Sequence, residues 1–172
     1  MEERIKPSRA QRADWESRLI IGDLQMIKIY MDNCCFNRPY DNQEQVRIRI
    51  ESEAKLEIQA RVISGEYLLV WSFMLDYENS RNNDYFKQIE IAWWADVASD
   101  YFIGSSQTSS IADELMILGI KSKDAVHLAC AIETRCDYFL TTDDGILKKK
   151  DQINSIIVIN PIDFIILREV QQ

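Results

Sequence analysis

Hydrophobic residues in this chain form short runs, separated by longer stretches in which they recur with a helical period. The run IKIYM (Ile27–Met31) is β-branched and aromatic and stops at polar residues, which predicts a buried strand. The run YLLVWSF (67–73) is hydrophobic on both alternations, as expected of a strand covered on both faces. Two shorter runs, DYFL (137–140) and SIIVIN (155–160), predict two more buried strands.

The stretches between these runs predict helices. From about 41 to 64 a hydrophobic residue recurs every four positions, which predicts an amphipathic helix that ends at Gly65. Its hydrophobic stripe consists of Val46, Ile50, Ala54, Ile58 and Val62. A helix capped by Ser72 is expected to continue through MLDYENSRNNDYF, with a further helical stretch near IEIAWWADVA.

Two further helices are expected in the second half of the chain. SSIADELMILG predicts a helix with Ser109 or Ser110 as its cap and Gly119 as its left-handed stop. The segment that begins at Ser122 is hydrophobic almost all round from 125 to 132. Such a helix must pack between a sheet and other helices.

Strands that alternate with helices predict an α/β fold, a three-layer α/β/α sandwich with a mainly parallel central sheet and right-handed crossovers. The length of 172 residues fits one domain, which we place at residues 26–172. Residues 1–25 precede the first strand and balance acidic against basic residues, so we interpret them as an added helix or arm, or a leader.

Composition narrows the class of protein. Four cysteines without a C-x-x-C pair, and one histidine, do not form a zinc set and suggest reduced, mostly buried thiols. No hydrophobic stretch approaches the roughly 20 residues that cross a bilayer, and the first residues are too charged for a signal peptide. These features predict a cytoplasmic protein with no membrane partner.

Net charge restricts the partners of the protein. The formal charge of −8 is the wrong sign for binding nucleic acid through a broad basic surface, because its field repels phosphate. Any contact with nucleic acid must therefore be local. Bound divalent cations would supply the positive charge where a phosphate approaches.

Acidic residues follow the predicted strands. Asp32 follows the first strand directly, Glu78 lies shortly after the second, and Asp143 and Asp144 follow the run FLTT. Asp124 lies in the first turn of the hydrophobic helix. Because loops at the carboxyl ends of parallel strands form the ligand crevice of an open α/β sheet, we expect these five carboxylates to approach one another.

Helical spacing favours Glu78 over its neighbour Asp76 as the inward acid. Glu78 shares a stripe with Met74, Leu75 and Tyr85, whereas Asp76 shares its face with polar residues. Clustered carboxylates raise one another's pKa unless a cation compensates them, and hard oxygen ligands favour Mg²⁺ or Mn²⁺ over zinc. The pattern thus predicts a divalent-cation site.

Each acid also has a plainer interpretation when taken singly. Asp32 can be a solvated strand-end cap, and Asp124 an ordinary first-turn acid of a helix. Asp143 is the expected ligand of the adjacent pair, whereas Asp144 is open between the metal site, as ligand or outer-sphere helper, and a turn. The lone His127 can be imagined as a base, but a hydrogen-bonded core histidine is commoner on such a helix.

Three further polar residues are candidates for substrate binding. Arg38 can clamp a phosphate with its planar guanidinium, or equally anchor its loop through an ion pair. Asn33 and Thr142 can orient ligands or water, although Thr142 can equally be a strand-end hydroxyl.

Several segments in one order resemble the PIN-domain family of metal-dependent nucleases, which includes the VapC-type toxins. They are IYMDNCCFNRPYD, LVWSFMLDYENSR, KSKDAVHLACAIETRCDYFLTTDD and VINPIDFI, and they extend over roughly 27 to 167. The resemblance implies the sandwich fold and hydrolysis of RNA with Mg²⁺ or Mn²⁺. It makes Asp32, Glu78, Asp124 and Asp143 the catalytic, metal-binding acids and places Asp144 beside them.

The same resemblance implies partners for the protein, namely RNA as substrate, an antitoxin protein, and a second copy in a homodimer. A non-catalytic PIN-like scaffold that binds RNA or a protein is the alternative, motivated by the negative net charge. A phosphohydrolase of the haloacid dehalogenase type also begins with an aspartate after a strand. That class needs D-x-D, whereas Asp32 is followed here by Asn33 and Cys34.

Overall fold

The fold was analysed in a computed structural model, which describes residues 26–170. The strands are β1 (Ile27–Met31), β2 (Tyr67–Ser72), β3 (Asp100–Phe102), β4 (Tyr138–Leu140) and β5 (Ile157–Ile159). The α-helices of this part of the chain are α1 (Asn33–Asn37), α2 (Val46–Ile63), α3 (Phe73–Asn79), α4 (Tyr85–Val97), α5 (Thr108–Ile117), α6 (Ser122–Glu133), α7 (Asp144–Leu147) and α8 (Pro161–Val170). The expected extension at residues 1–25 lies outside the described residues.

The five strands form one sheet in the order β3-β2-β1-β4-β5, and each neighbouring pair is parallel. Helix α2 packs against α8, and α5 packs against α6. Because right-handed crossovers in opposite directions place helices on opposite faces, the sheet is covered on both sides. The predicted three-layer α/β/α sandwich is therefore confirmed, with an all-parallel sheet.

The boundaries of the helices that follow the second strand differ from the predictions. The helix expected to run through MLDYENSRNNDYF ends at Asn79, and a new helix starts at Tyr85. Asp84 separates them because its side chain caps α4, accepting hydrogen bonds from the backbone N–H groups of Phe86 and Lys87. Tyr85 therefore belongs to α4, is largely exposed, and shares no stripe with Glu78.

Strand β3 was not predicted from the sequence. It has three residues, DYF, and its first two side chains are exposed at the edge of the sheet. Its run YFI (101–103) is as short as the run in DYFL, but Tyr101 and Ile103 are exposed at the sheet edge and do not enter the core. It pairs with β2 in parallel, with Trp71 beside Tyr101.

Helix α2 buries a different face from the one its hydrophobic stripe indicates. Ile58 and Val62 are buried as expected, but Val46 and Ile50 are exposed. The buried face of the first half is polar and includes Glu51, Ser52 and Lys55. Ion pairs of Glu51 with arginines explain this reversal, since they compensate a carboxylate that is completely buried.

The second half of the chain follows the predictions closely. Helix α6 begins at Ser122, contacts both β2 and β4, and is buried almost throughout from 125 to 131. Gly119 has the expected left-handed backbone after α5, although that helix starts at Thr108, ahead of the two serines proposed as caps. All four cysteines are free thiols, three of them buried. Within residues 26–170, no helix is long and apolar enough to cross a membrane.

Candidate functional site

The candidate site lies where the chain reverses direction across the sheet. Starting from the central strand β1, the chain adds β2 and β3 on one side, and then returns to add β4 and β5 on the other. Loops that leave β1 and β4 therefore diverge at their carboxyl ends, and such a switch point opens a crevice in parallel α/β sheets. Asp32 follows β1 and Asp143 follows β4, so both lie at this switch point.

Asp32 is held in a fixed position at the end of β1. Its backbone N–H donates to the carbonyl of Leu140 at 2.9 Å, which joins it to β4. The carboxylate is buried, and its Oδ2 accepts hydrogen bonds from the Thr141 hydroxyl at 2.8 Å and the Cys34 thiol at 3.1 Å. Both of these hydrogen bonds go to Oδ2, so within residues 26–170 they leave Oδ1 to a ligand.

Asp143 caps the short helix α7. Its Oδ1 accepts hydrogen bonds from the N–H groups of Gly145 at 2.6 Å and Ile146 at 3.3 Å. A Cβ at position 145 would lie 2.8 Å from this Oδ1, so glycine lets the carboxylate fold back over the helix. The Asp143 N–H also donates to Thr141 Oγ1 at 3.1 Å, and Thr141 thus links Asp143 to Asp32.

Glu78 reaches the same site from α3, half-buried, whereas Asp76 is exposed and faces away, as predicted. Its Oε2 lies 3.1 Å from Nε2 of His127, and its Oε1 lies 3.6 Å from Nζ of Lys123. Hydrogen bonding to His127 is the main cause that lowers the pKa of Glu78, and a hydrogen bond from the Asn33 side chain adds to it. Glu78 is therefore an ionised carboxylate at neutral pH.

Asp124 shows that the acids interact. Burial in the first turn of α6 is the main cause that raises its pKa to about 6, and the negative charges of Asp32 and Asp143 raise it further. Lys121 and His127 oppose the shift but do not cancel it. Burial and the two neighbouring carboxylates therefore outweigh these basic residues in setting the pKa of Asp124.

The donor atoms suit a divalent cation. One ligand atom each from Asp32, Glu78 and His127 lie within 4.8 Å of one another. With Asp124 and Asp143 close by, the site offers mainly carboxylate oxygens, which are ligands of Mg²⁺ and Mn²⁺. The chemistry and spacing of this donor set therefore fit the divalent cation that the sequence predicts.

Asp144 and Arg38, two of the predicted site residues, are engaged in other contacts. Both oxygens of Asp144 accept hydrogen bonds from the guanidinium of Arg47, at 2.9 and 2.7 Å, which lowers the Asp144 pKa. Arg47 and Arg38 also pair with the buried Glu51, and Arg38 pairs with Asp41. Asp144 and Arg38 thus belong to an arginine network, comprising Arg38, Arg47, Glu51 and Asp144, that fastens the loop after β1 to α2 and α7.

Asn33 and Thr142 lie beside the acids. Asn33 is next to Asp32 and contacts Glu78, and its Oδ1 is buried without a hydrogen-bond partner among residues 26–170. The Thr142 hydroxyl is likewise buried and unpaired in the described part of the chain. Its backbone is occupied, since its N–H donates to Cys34 Sγ and its carbonyl accepts from Arg38.

Sequence reasoning missed Thr141 and the contacts of His127. His127 is completely buried and hydrogen-bonded at both ring nitrogens, as expected of a core histidine, yet one of these bonds goes to Glu78. Its spacing from Asp124, almost one helical turn, was the available signal. For Thr141 the signal was strand alternation, which separates it from Thr142.

Comparisons of the chain with protein-family models, with curated proteins and with solved structures found no match. The case for a function therefore depends on the geometry of the site.

Proposed function

We propose that this chain is a divalent-metal-dependent ribonuclease of the PIN-domain type that hydrolyses RNA phosphodiester bonds. One observation carries the proposal: Asp32, Glu78, Asp124 and Asp143, from four separate segments, converge where the sheet reverses direction. The resemblance in sequence favours RNA as the substrate. It also favours a cytoplasmic toxin that pairs with an antitoxin protein and forms a homodimer.

The residues of the site have separate tasks in this proposal. Asp32 and Glu78 hold Mg²⁺ or Mn²⁺, with Asp124 and the second oxygen of Asp143 completing the negative lining. Thr141 and the backbone cap of α7 keep Asp32 and Asp143 from rotating away. When bound, the ion supplies activation of a water and neutralisation of charge on the phosphate. Asn33 and Thr142 orient substrate or water in this proposal, which their polar atoms without a partner within residues 26–170 support.

An RNA digestion tests the activity. The purified chain is incubated with a mixed RNA pool, with Mg²⁺, with Mn²⁺ or with chelator, and the new ends are sequenced. We expect reproducible ends that require the metal. Ends that persist in chelator, or no cleavage with either metal, would contradict the proposal.

The substitution Asp32→Asn separates catalysis from folding. It keeps the acceptor for Thr141 but removes the charge, so we expect cleavage to fall by more than about 100-fold, the loss of several kcal/mol of transition-state stabilisation. The free energy of unfolding in chelator should stay within about 1 kcal/mol of the wild type. Asp113→Asn, at an exposed position on α5, is the matched control and should retain activity. Full activity of Asp32→Asn would refute the assignment.

A non-catalytic scaffold is the second candidate, favoured by the net charge of −8. Calorimetric titration with Mn²⁺ distinguishes the two. Binding that is lost in Asp32→Asn supports the nuclease, whereas no binding at millimolar Mn²⁺ supports the scaffold.

A further inference from the structure

His127, the single histidine of the chain, lies at the acidic site in a geometry that suits a metal ligand. Its Nε2 lies 3.1 Å from Oε2 of Glu78. Two ligands bonded to one ion at about 2.1 Å and at right angles lie about 3.0 Å apart, and two on opposite sides about 4.2 Å. The ligand atoms of Asp32, Glu78 and His127 lie within 4.8 Å of one another, which is compatible with both separations.

The other ring nitrogen of His127 has a partner that tolerates either tautomer. Nδ1 lies 2.7 Å from the Tyr30 hydroxyl, which lies 2.7 Å from Oγ of Ser72. Ser72 also hydrogen-bonds the Cys130 thiol. Because a hydroxyl both donates and accepts, this buried chain has no fixed direction. Ser72 was predicted to cap α3, but its side chain makes no cap hydrogen bond and belongs to this chain of contacts.

Two arrangements of the protons are therefore possible. In one, Nε2–H donates to Glu78 and the Tyr30 hydroxyl donates to Nδ1. In the other, Nδ1–H donates to the Tyr30 oxygen, the Tyr30 hydroxyl donates to Ser72, and the lone pair of Nε2 faces the site. The imidazole carries one proton in both, and its N–H and the Tyr30 hydroxyl each have an acceptor in either arrangement.

We propose that Nε2 of His127 is a ligand of the cation beside Asp32 and Glu78, so that the site prefers first-row transition ions such as Mn²⁺ to Mg²⁺. The inference rests on the proposed metal site and adds a nitrogen ligand to its oxygens. Imidazole is a softer ligand than carboxylate and adds affinity for transition ions that the hard Mg²⁺ gains little from. Tyr30 then has the position of an outer partner that orients a metal-bound histidine.

Pulsed electron paramagnetic resonance of the full chain with bound Mn²⁺ tests this directly. We expect modulation from a directly bonded ¹⁴N nucleus, which ¹⁵N-labelled histidine must convert to the ¹⁵N pattern. The chain has one histidine, so the conversion assigns the signal to His127 without any substitution. The measurement needs no turnover and no RNA.

Calorimetric titrations of variants provide a second measurement. His127→Gln should lose the nitrogen signal and weaken Mn²⁺ binding by more than about 10-fold, with a smaller effect on Mg²⁺. Tyr30→Phe, the matched variant of the outer partner, should keep the nitrogen signal and weaken Mn²⁺ binding by about 10-fold.

The outcomes separate this inference from the proposed function. Mn²⁺ that binds through Asp32 without a histidine nitrogen signal would overturn the role of His127 and leave the acidic metal site intact. Equal loss of Mn²⁺ and Mg²⁺ affinity in His127→Gln would show that the histidine only positions Glu78, which also overturns it. No Mn²⁺ binding at all would overturn both proposals.

Discussion

Single carboxylates in this protein differ in pKa because their neighbours differ. Glu78 has its pKa lowered, mainly by the hydrogen bond to His127, whereas Asp124 has its pKa raised to about 6, mainly by burial. Both acids belong to one site. Their opposite shifts reflect different surroundings, since the hydrogen bond with His127 favours the ionised form of Glu78, whereas burial at the start of α6 disfavours that of Asp124.

The raised pKa of Asp124 predicts a pH dependence of stability. The carboxyl titrates near 3.8 in the unfolded chain and at about 6 in the folded protein. Between these values the folded state binds more protons, so the Asp124 contribution makes the free energy of unfolding fall as pH rises from about 4 to 6. Above that range both states are ionised, and the contribution is constant.

Urea denaturation in chelator at pH 4 to 7 measures this effect as the difference between wild type and Asp124→Asn. Subtracting one stability curve from the other cancels the contribution of Glu78, which is common to both proteins. Its lowered pKa changes the free energy of unfolding with pH in the opposite direction. We expect the variant to gain stability relative to the wild type as pH rises through the window. A difference independent of pH would contradict the electrostatic account of Asp124.

At the scale of secondary structure, helix α2 shows that hydrophobic spacing does not alone choose the buried face. The stripe residue Ile58 is fully buried, whereas Ile50 on the same stripe is 43% exposed. The first half of α2 therefore buries a polar face instead of the hydrophobic stripe, and Glu51 on this face forms an ion pair with Arg38.

Two matched substitutions test this orientation. Ile58→Ala should lower the free energy of unfolding by about 2–5 kcal/mol, because it removes packed methylene groups from the core. Ile50→Ala should change it by no more than about 0.5 kcal/mol. Urea denaturation of both variants is the measurement, and equal losses would contradict the observed face of α2.

Glu51 connects separate elements through the arginine network. It pairs with Arg38 after β1 and Arg47 on α2, and it accepts a hydrogen bond from Asn160 after β5. Glu51→Ala should lower the free energy of unfolding by about 3–5 kcal/mol, because it empties a completely buried site and leaves Nε of Arg38 and the amide of Asn160 without their acceptor. Glu53→Ala, at an exposed position two residues along α2, is the control and should be close to neutral in the same denaturation experiment.

At the scale of the whole molecule, metal binding and folding are linked. An ion that binds only the folded chain stabilises it by about 2.7 kcal/mol at 100 times its Kd. For a chain of this size each kcal/mol raises Tm by about 2–4 °C, so we expect a rise of about 5–10 °C. Thermal unfolding with Mn²⁺ and with chelator measures it. Asp32→Asn should lose the rise and Asp113→Asn should keep it; a rise in both would place the ion elsewhere.

Much of the fold was predictable because its signals are local. The burial of the run IKIYM and of the hydrophobic helix from Ser122 can be predicted from their local pattern of residues. Strands that alternate with helices indicate a parallel sheet. Strand β3 and the break between α3 and α4 were not predictable in this way. The first depends on a neighbouring strand, and the second on a capping contact of Asp84 that competes with a continuous helical pattern.

The sequence by itself determined the residue types at the strand ends, and hence that carboxylates gather where parallel strands finish. Tertiary structure decided which of them face one another. Asp143 and Asp144 are adjacent in the chain, yet one caps a helix at the site and the other pairs with Arg47. Likewise, only folding brings His127 to Glu78 and Thr141 to Asp32, because the strength of charges and hydrogen bonds depends on distance and burial, which no linear order of residues specifies.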